Sequence, residues 1–223
     1  MKIYYARTEL PDRESARSHA LELLPESRLK KLSRMKSKES KKQCIAAGLL
    51  LEYGLRQYDI CGKDMTFLQN SDGKPYLLEW PKLHYNLSHS GEYAALAIGS
   101  FPVGIDIEKL RYGQEKLVKR FFSQEEVEGL LGNFTDSAFT RTWTRKEAFL
   151  KACGTGMRMP LEGFSTMTDV IQINEKMPAE MRRNYMVHYV KSYQINDEYW
   201  LSVCQEGREV DGMPEEVVLG ELL

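Results

Sequence analysis

Residues 103–108, Val-Gly-Ile-Asp-Ile-Glu, set Val103, Ile105 and Ile107 in alternation with Gly104, Asp106 and Glu108. Period two is the mark of a strand, not a helix. Side chains at i and i+2 share a strand face, so Asp106 and Glu108 point the same way. Two adjacent carboxylates repel each other, and such a strand needs solvent or a cation on its polar face. Residues 143–151, Trp-Thr-Arg-Lys-Glu-Ala-Phe-Leu-Lys, read as a helix with Glu147 and Lys151 one turn apart. A fold that brings this helix onto that strand would converge Asp106, Glu108 and Glu147 on one point. Three hard oxygen ligands suit Mg²⁺, with Mn²⁺ as a substitute. Taken singly, each motif has an ordinary explanation. Acids on a strand commonly form a solvated face, and a Glu–Lys i,i+4 pair is a surface ion pair worth about 0.3–0.5 kcal/mol.

The remaining chain reads as a mixture of helices and strands. Met1 to Tyr5 opens a strand, Asp12 to Leu24 a helix, and Arg28 to Lys42 a basic helical stretch with Leu29, Leu32 and Met35 on one face. Lys41 to Tyr58 follows as an alanine- and leucine-rich helix. Residues 66–68 and 76–78 flank the turn-rich 70–73 as a hairpin, and Tyr93 to Ile98 is an apolar strand. Gly99 to Pro102 is expected to turn that strand into the acidic one as an antiparallel hairpin. Gln114 to Phe122 and Gln124 to Leu131 are helical, the second capped by Ser123, and Phe139 to Cys153 is a long helix ended by Gly154. Met186 to Val190 and Tyr199 to Val203 are strands of an antiparallel pair, and Val210 to Leu223 a peripheral tail.

Composition narrows the function classes. A formal net charge of −1 argues against a generic nucleic-acid binder. The four cysteines have no C-x-x-C pairing, no run approaches the roughly 18 apolar residues of a membrane span, and the first residues read as a strand rather than a signal. A cytoplasmic protein, not associated with a membrane, is the expectation.

Together the two acidic motifs resemble the signature of 4′-phosphopantetheinyl transferases of the Sfp-like, surfactin-synthetase-activating type: a G-[IV]-D-[IV]-E strand followed by W-[ST]-x-K-E-[AS]-x-x-K. Three further segments fit the same family in order: Gly73-Lys74-Pro75, Asn86-Leu87-Ser88-His89-Ser90, and Arg120-Phe121-Phe122-Ser123 with Glu126. The likeness runs from about Gly73 to Pro160 and is looser in the N-terminal third. It implies an α+β fold of two pseudo-symmetric halves, each an antiparallel sheet packed with helices, here residues 1–102 and 103–223. It implies a monomer that moves the 4′-phosphopantetheine arm of coenzyme A to a serine of an apo acyl, peptidyl or aryl carrier protein, releasing adenosine 3′,5′-bisphosphate. A catalytically inactive coenzyme A-binding protein of this fold is the alternative, but that reading calls for a broken acidic triad.

The resemblance also assigns roles. Mg²⁺ falls to Asp106, Glu108 and Glu147; the adenine to Lys74 and Pro75; phosphates to Ser88, His89 and Lys151. Lys151, on the face of Glu147, would also stabilise the leaving group. Lys146, about 140° away on the helical wheel, either contacts phosphate or is solvated. Glu126 stands where the family's general base is discussed, with a first-turn helix acid or a metal-bound water as the alternatives. The family's cations for the coenzyme 3′-phosphate fall in the basic stretch. Its usual arginine is absent around Lys41-Lys42-Gln43, leaving Lys31 and Lys42 as the expected contacts.

Overall fold

The computed structural model describes residues 1–223, apart from the side chain of Met157. Strands β1 (Lys2–Arg7), β2 (Phe67–Gln69), β3 (Pro75–Leu77), β4 (His84–Ser90) and β5 (Tyr93–Gly99) belong to the N-terminal half, with helices α1 (Glu14–Leu23), α2 (Glu26–Ser33) and α3 (Lys38–Arg56). β6 (Val103–Lys109) is the acidic strand, followed by α4 (Glu115–Phe121), α5 (Gln124–Leu131) and α6 (Asp136–Cys153). Short strands β7 (Phe164–Ser165) and β8 (Gln172–Ile173) and helix α7 (Ala179–Arg183) precede the long hairpin β9 (His188–Asn196) and β10 (Tyr199–Glu206), and β11 (Pro214–Glu216) comes last. The α+β class expected from the sequence is the observed one.

Two sheets organise the chain: β11-β1-β5-β4 and β6-β10-β9. β5, Tyr-Ala-Ala-Leu-Ala-Ile-Gly, is buried along its whole length because both its faces are covered. Ala94, Leu96 and Ile98 pack with α3, whereas Tyr93, Ala95 and Ala97 pack with Val103, Ile105 and Ile107 of β6 and Leu201 and Val203 of β10. The small alanines let two layers approach this strand. α6 covers the other face of the second sheet, so the layers run helix, sheet, sheet, helix.

Gly104 fixes how closely α6 lies on β6. A Cβ there would stand 2.0 Å from the carbonyl oxygen of Ala148 and 2.3 Å from the amide of Ala152. Any side chain at 104 would lift the helix off the strand. Asp106 and Glu108, on the same face as Gly104, are thereby held beneath Glu147 and Lys151. The convergence anticipated from the two motifs rests on this one glycine.

Three expectations are corrected. β5 and β6 are not a hairpin: both edges of β5 are taken by β1 and β4, so the turn at residues 100–102 carries the chain into the second sheet. The segment 210–223 is not peripheral. β11 pairs in parallel with β1, and Val217 and Leu219 sit in the N-terminal core. The basic stretch is broken between Ser33 and Lys38, where Ser37 caps α3 through the amide of Ser40.

Candidate active site

β4 and β6 lie edge to edge, joined by side chains. Asn86 Oδ1 accepts from the amide of Ile105 (3.0 Å), Ser88 Oγ from Ile107 (3.3 Å) and Ser90 Oγ from Lys109 (3.2 Å). Residue numbers rise together across these three bonds, so the strands run parallel. The serines also donate to the acids, Ser88 to Asp106 Oδ1 at 2.8 Å and Ser90 to Glu108 Oε2 at 2.8 Å. The period-two face of β4 thus secures both the strand junction and the carboxylates.

Asp106 is 4 % exposed and takes the Lys151 ammonium on Oδ1 at 2.6 Å. Its other oxygen, Oδ2, is buried and has no hydrogen-bond partner among the described residues. An unpartnered carboxylate oxygen is costly inside a protein. Burial, then the charge of Asp106, pushes the carboxyls of Glu108 and Glu147 above the usual range. Three acids thus face one another with too little positive charge between them. The donor set and the orphaned oxygen fit a hard divalent cation. Among the described residues the acids do not yet stand as a ready-made three-ligand centre. Part of the reason is that donors hold them apart: Lys151 on Asp106, and Ser90 with Arg111 (2.9 Å) on the two oxygens of Glu108.

Two cavities meet at this point. The larger, 360 Å³, is lined by Ser88, His89, Asp106, Glu108, Arg111 and Trp143, and the smaller, 220 Å³, by Gly73, Lys74, Pro75, Asn86 and Gly154. Glu147 and Lys151 form part of both walls. His89 reaches solvent; its surroundings, then the charges of Lys31, Lys151 and Arg28, push its imidazole below the ordinary value. Three cations whose charge reaches this ring make an anion-attracting corner. Lys151 uses all three ammonium donors, on Asp106, Ser88 (3.1 Å) and the carbonyl of Ile105 (3.2 Å), so an arriving anion must displace one of them.

The structure brings together Asp106, Glu108, Glu147, Lys151, Ser88, His89, Lys74 and Pro75 around the two cavities, and the charge of Lys31 reaches His89. It does not bring Glu126, Lys146 or Lys42. Glu126 and Lys146 are both fully buried. Glu126 Oε2 accepts from Lys146 at 2.5 Å and from Ser123, while Oε1 accepts from the amide and hydroxyl of Thr166, both at 2.9 Å. The pair seals the junction of α5, α6 and the segment after β7, with the Lys146 ammonium over the Phe164 ring. Burial pushes that ammonium down from its ordinary value. Glu126 lines neither cavity, and its capping box matches the helix-start alternative to the general base. Lys146 is not solvated, and it lines neither cavity. Lys42 lines a separate cavity with Lys38 and Lys41 on the outer side of α3.

Lys74 differs from expectation in another way. Its side chain, and not merely its backbone, is engaged: Nζ donates to the carbonyls of Ala152 (2.6 Å) and Val103 (3.1 Å), and burial pushes its ammonium down to about 8. Sequence reasoning passed over Arg28, Arg111 and Trp143. Arg28 was one of many basic residues, and only the packing of α2 on α3, with its guanidinium on the Cys44 carbonyl (3.4 Å) and its stem beside Gly48, sets it apart. Arg111 stands three residues after Glu108 and stacks on Trp143 at 5.2 Å, a spacing that could have flagged it.

Acids from a strand and a helix beside two cavities with cations in their walls, at the seam of two sheets, are an arrangement suited to phosphate-ester chemistry. Comparison with known proteins gives the family. The model of the 4′-phosphopantetheinyl transferase superfamily matches residues 102–204, and that of the 4′-phosphopantetheinyl transferase N-terminal region matches residues 11–100. The chain is 30% identical over 208 residues to the 4′-phosphopantetheinyl transferase Sfp of Bacillus subtilis (strain 168), covering 92% of each. It is 27% identical over 213 residues to the 4′-phosphopantetheinyl transferase psf-1 of Bacillus pumilus, covering 92% of this chain and 89% of that one. With the 4′-phosphopantetheinyl transferase gsp of Aneurinibacillus migulanus it shares 32% over 150 residues, 64% of this chain and 62% of that one. This chain belongs to the 4′-phosphopantetheinyl transferase superfamily, in its Sfp-like branch. It is a transferase that uses coenzyme A to modify carrier proteins.

Proposed function

We propose that the two cavities bind coenzyme A and that the phosphopantetheine arm passes to a serine hydroxyl of an apo acyl, peptidyl or aryl carrier protein, leaving adenosine 3′,5′-bisphosphate. The observation that carries this reading is the buried Asp106 Oδ2, without a hydrogen-bond partner among the described residues, in the wall of the larger cavity beside Glu147 and Lys151, which also line the Lys74–Pro75 cavity. Asp106, Glu108 and Glu147 would hold Mg²⁺, which when bound neutralises pyrophosphate charge. Lys151 exchanges one of its protein acceptors for a phosphate oxygen and offsets the charge that grows on the leaving group. Arg28, Lys31 and His89 meet the remaining phosphate, with Ser88 keeping Asp106 in place. The serine Oγ proton needs an acceptor inside the cavity. Both Glu108 oxygens already accept bonds, so Glu147, which lines both cavities, is the better placed acceptor. Residues 1–102 supply the basic corner and 103–223 the acids and Lys151, so one chain in the cytoplasm, working as a monomer without nucleic acid, suffices.

Intact mass spectrometry of apo carrier proteins incubated with coenzyme A, Mg²⁺ and the protein tests this. A gain of one phosphopantetheinyl group is expected, abolished by EDTA. Asp106→Ala should lower kcat by about 10²-fold or more, the scale of a key electrostatic group. Undiminished turnover with EDTA or in Asp106→Ala would overturn the acidic-triad assignment.

A further inference from the structure

We propose that Lys74 is a positioning residue: its ammonium does not meet coenzyme A but ties the loop between β2 and β3 to the far half of the molecule, setting the wall of the smaller cavity. The inference rests on the coenzyme A reading of that cavity. Both carbonyls that Lys74 bonds, those of Val103 and Ala152, lie beyond the half that carries it. The Ala152 carbonyl is in the last turn of α6, where helix carbonyls lack intrahelical partners and a cation is favoured. The stem of Lys74 lies on Gly154. A Cβ at Gly154 would stand 3.0 Å from Lys74 Cδ and 3.4 Å from its Cβ, and Gly154 has φ +71° as the left-handed cap of α6. One glycine thereby ends the helix and seats the lysine.

The loop itself is built to present this side chain. Asn70 Oδ1 accepts from the amides of Asp72 (3.0 Å) and Lys74 (2.9 Å), and Gly73 takes φ +82° between them. A second tie crosses the same gap, an ion pair between Asp72 and Arg158. Two fastenings from one short loop onto the segment around the end of α6 make the cavity wall a closed strap. Two of the ammonium's three donors are engaged by backbone carbonyls of the far half, so the charge is anchored at the loop's base.

Lys74→Met keeps the stem on Gly154 and removes the donors. KM for coenzyme A should rise about tenfold with kcat within about twofold, and the rise should be equal for 3′-dephospho-coenzyme A, because no phosphate contact is lost. Amide hydrogen exchange of the free protein should quicken about tenfold at residues 72–74, 76 and 152–156 while β5 keeps its protection. Arg158→Gln, on an exposed side chain, should shift the same amides in the same direction and serves if Lys74→Met does not fold. Quickened exchange in a protein without transferase activity would remove the function and leave the strap standing. Unchanged exchange in both variants, or a KM effect confined to the 3′-phosphorylated ligand, would overturn it, the latter by making Lys74 a phosphate contact.

Discussion

Glu126 and Lys146 show how one residue can carry a functional motif and do a structural task. Both fall in segments that match the family signature, and sequence spacing alone cannot tell a buried acid from a catalytic one. Ser123 three residues earlier was the available sign, since Ser-x-x-Glu at a helix start is a capping box. Removing one member of a buried ion pair leaves the other uncompensated, at a cost of about 3–5 kcal/mol. Glu126→Gln and Lys146→Met should each lose that much in denaturant unfolding, with coenzyme A affinity of the folded fraction nearly unchanged. The double variant should lose less than the sum, because no charge is then stranded. A stable Glu126→Gln protein with a flattened acidic limb in its pH–rate profile would instead restore Glu126 as the base.

At the scale of elements, β4 and β6 behave as one unit although no backbone ladder joins them. Asn86, Ser88 and Ser90 replace the missing carbonyls, and two of them also orient the acids. This accounts for the segment better than phosphate contact alone: three of its five side chains face the neighbouring strand and leave His89 for the ligand. Asn86→Ala would leave the Ile105 amide buried and unpaired, a loss of about 1–3 kcal/mol. Amide exchange at Ile105 should rise before that at Val203, which pairs from the opposite side of β6. If both amides stay equally protected, the stitch contributes nothing.

For the molecule as a whole, the final strand closes the N-terminal sheet by returning from the far half. Deleting residues 213–223 strips β11 from β1 and exposes the region covered by Val217 and Leu219. Each such side chain is worth about 1.5–3 kcal/mol, so urea denaturation should show a loss of at least about 3 kcal/mol. An unchanged midpoint would return the segment to a dispensable tail. The contrast between this strand and the acidic motifs marks the limit of what residues disclose in isolation. Strand β6, helix α6, their caps and the acids on one face were legible, because periods of two and 3.6 and capping chemistry are local. The seating of α6 on Gly104, the sealing of Glu126 with Lys146, the reach of Lys74 across the seam and the return of β11 were not. Each depends on which surfaces meet, and contacts between residues far apart in the chain leave no period in it.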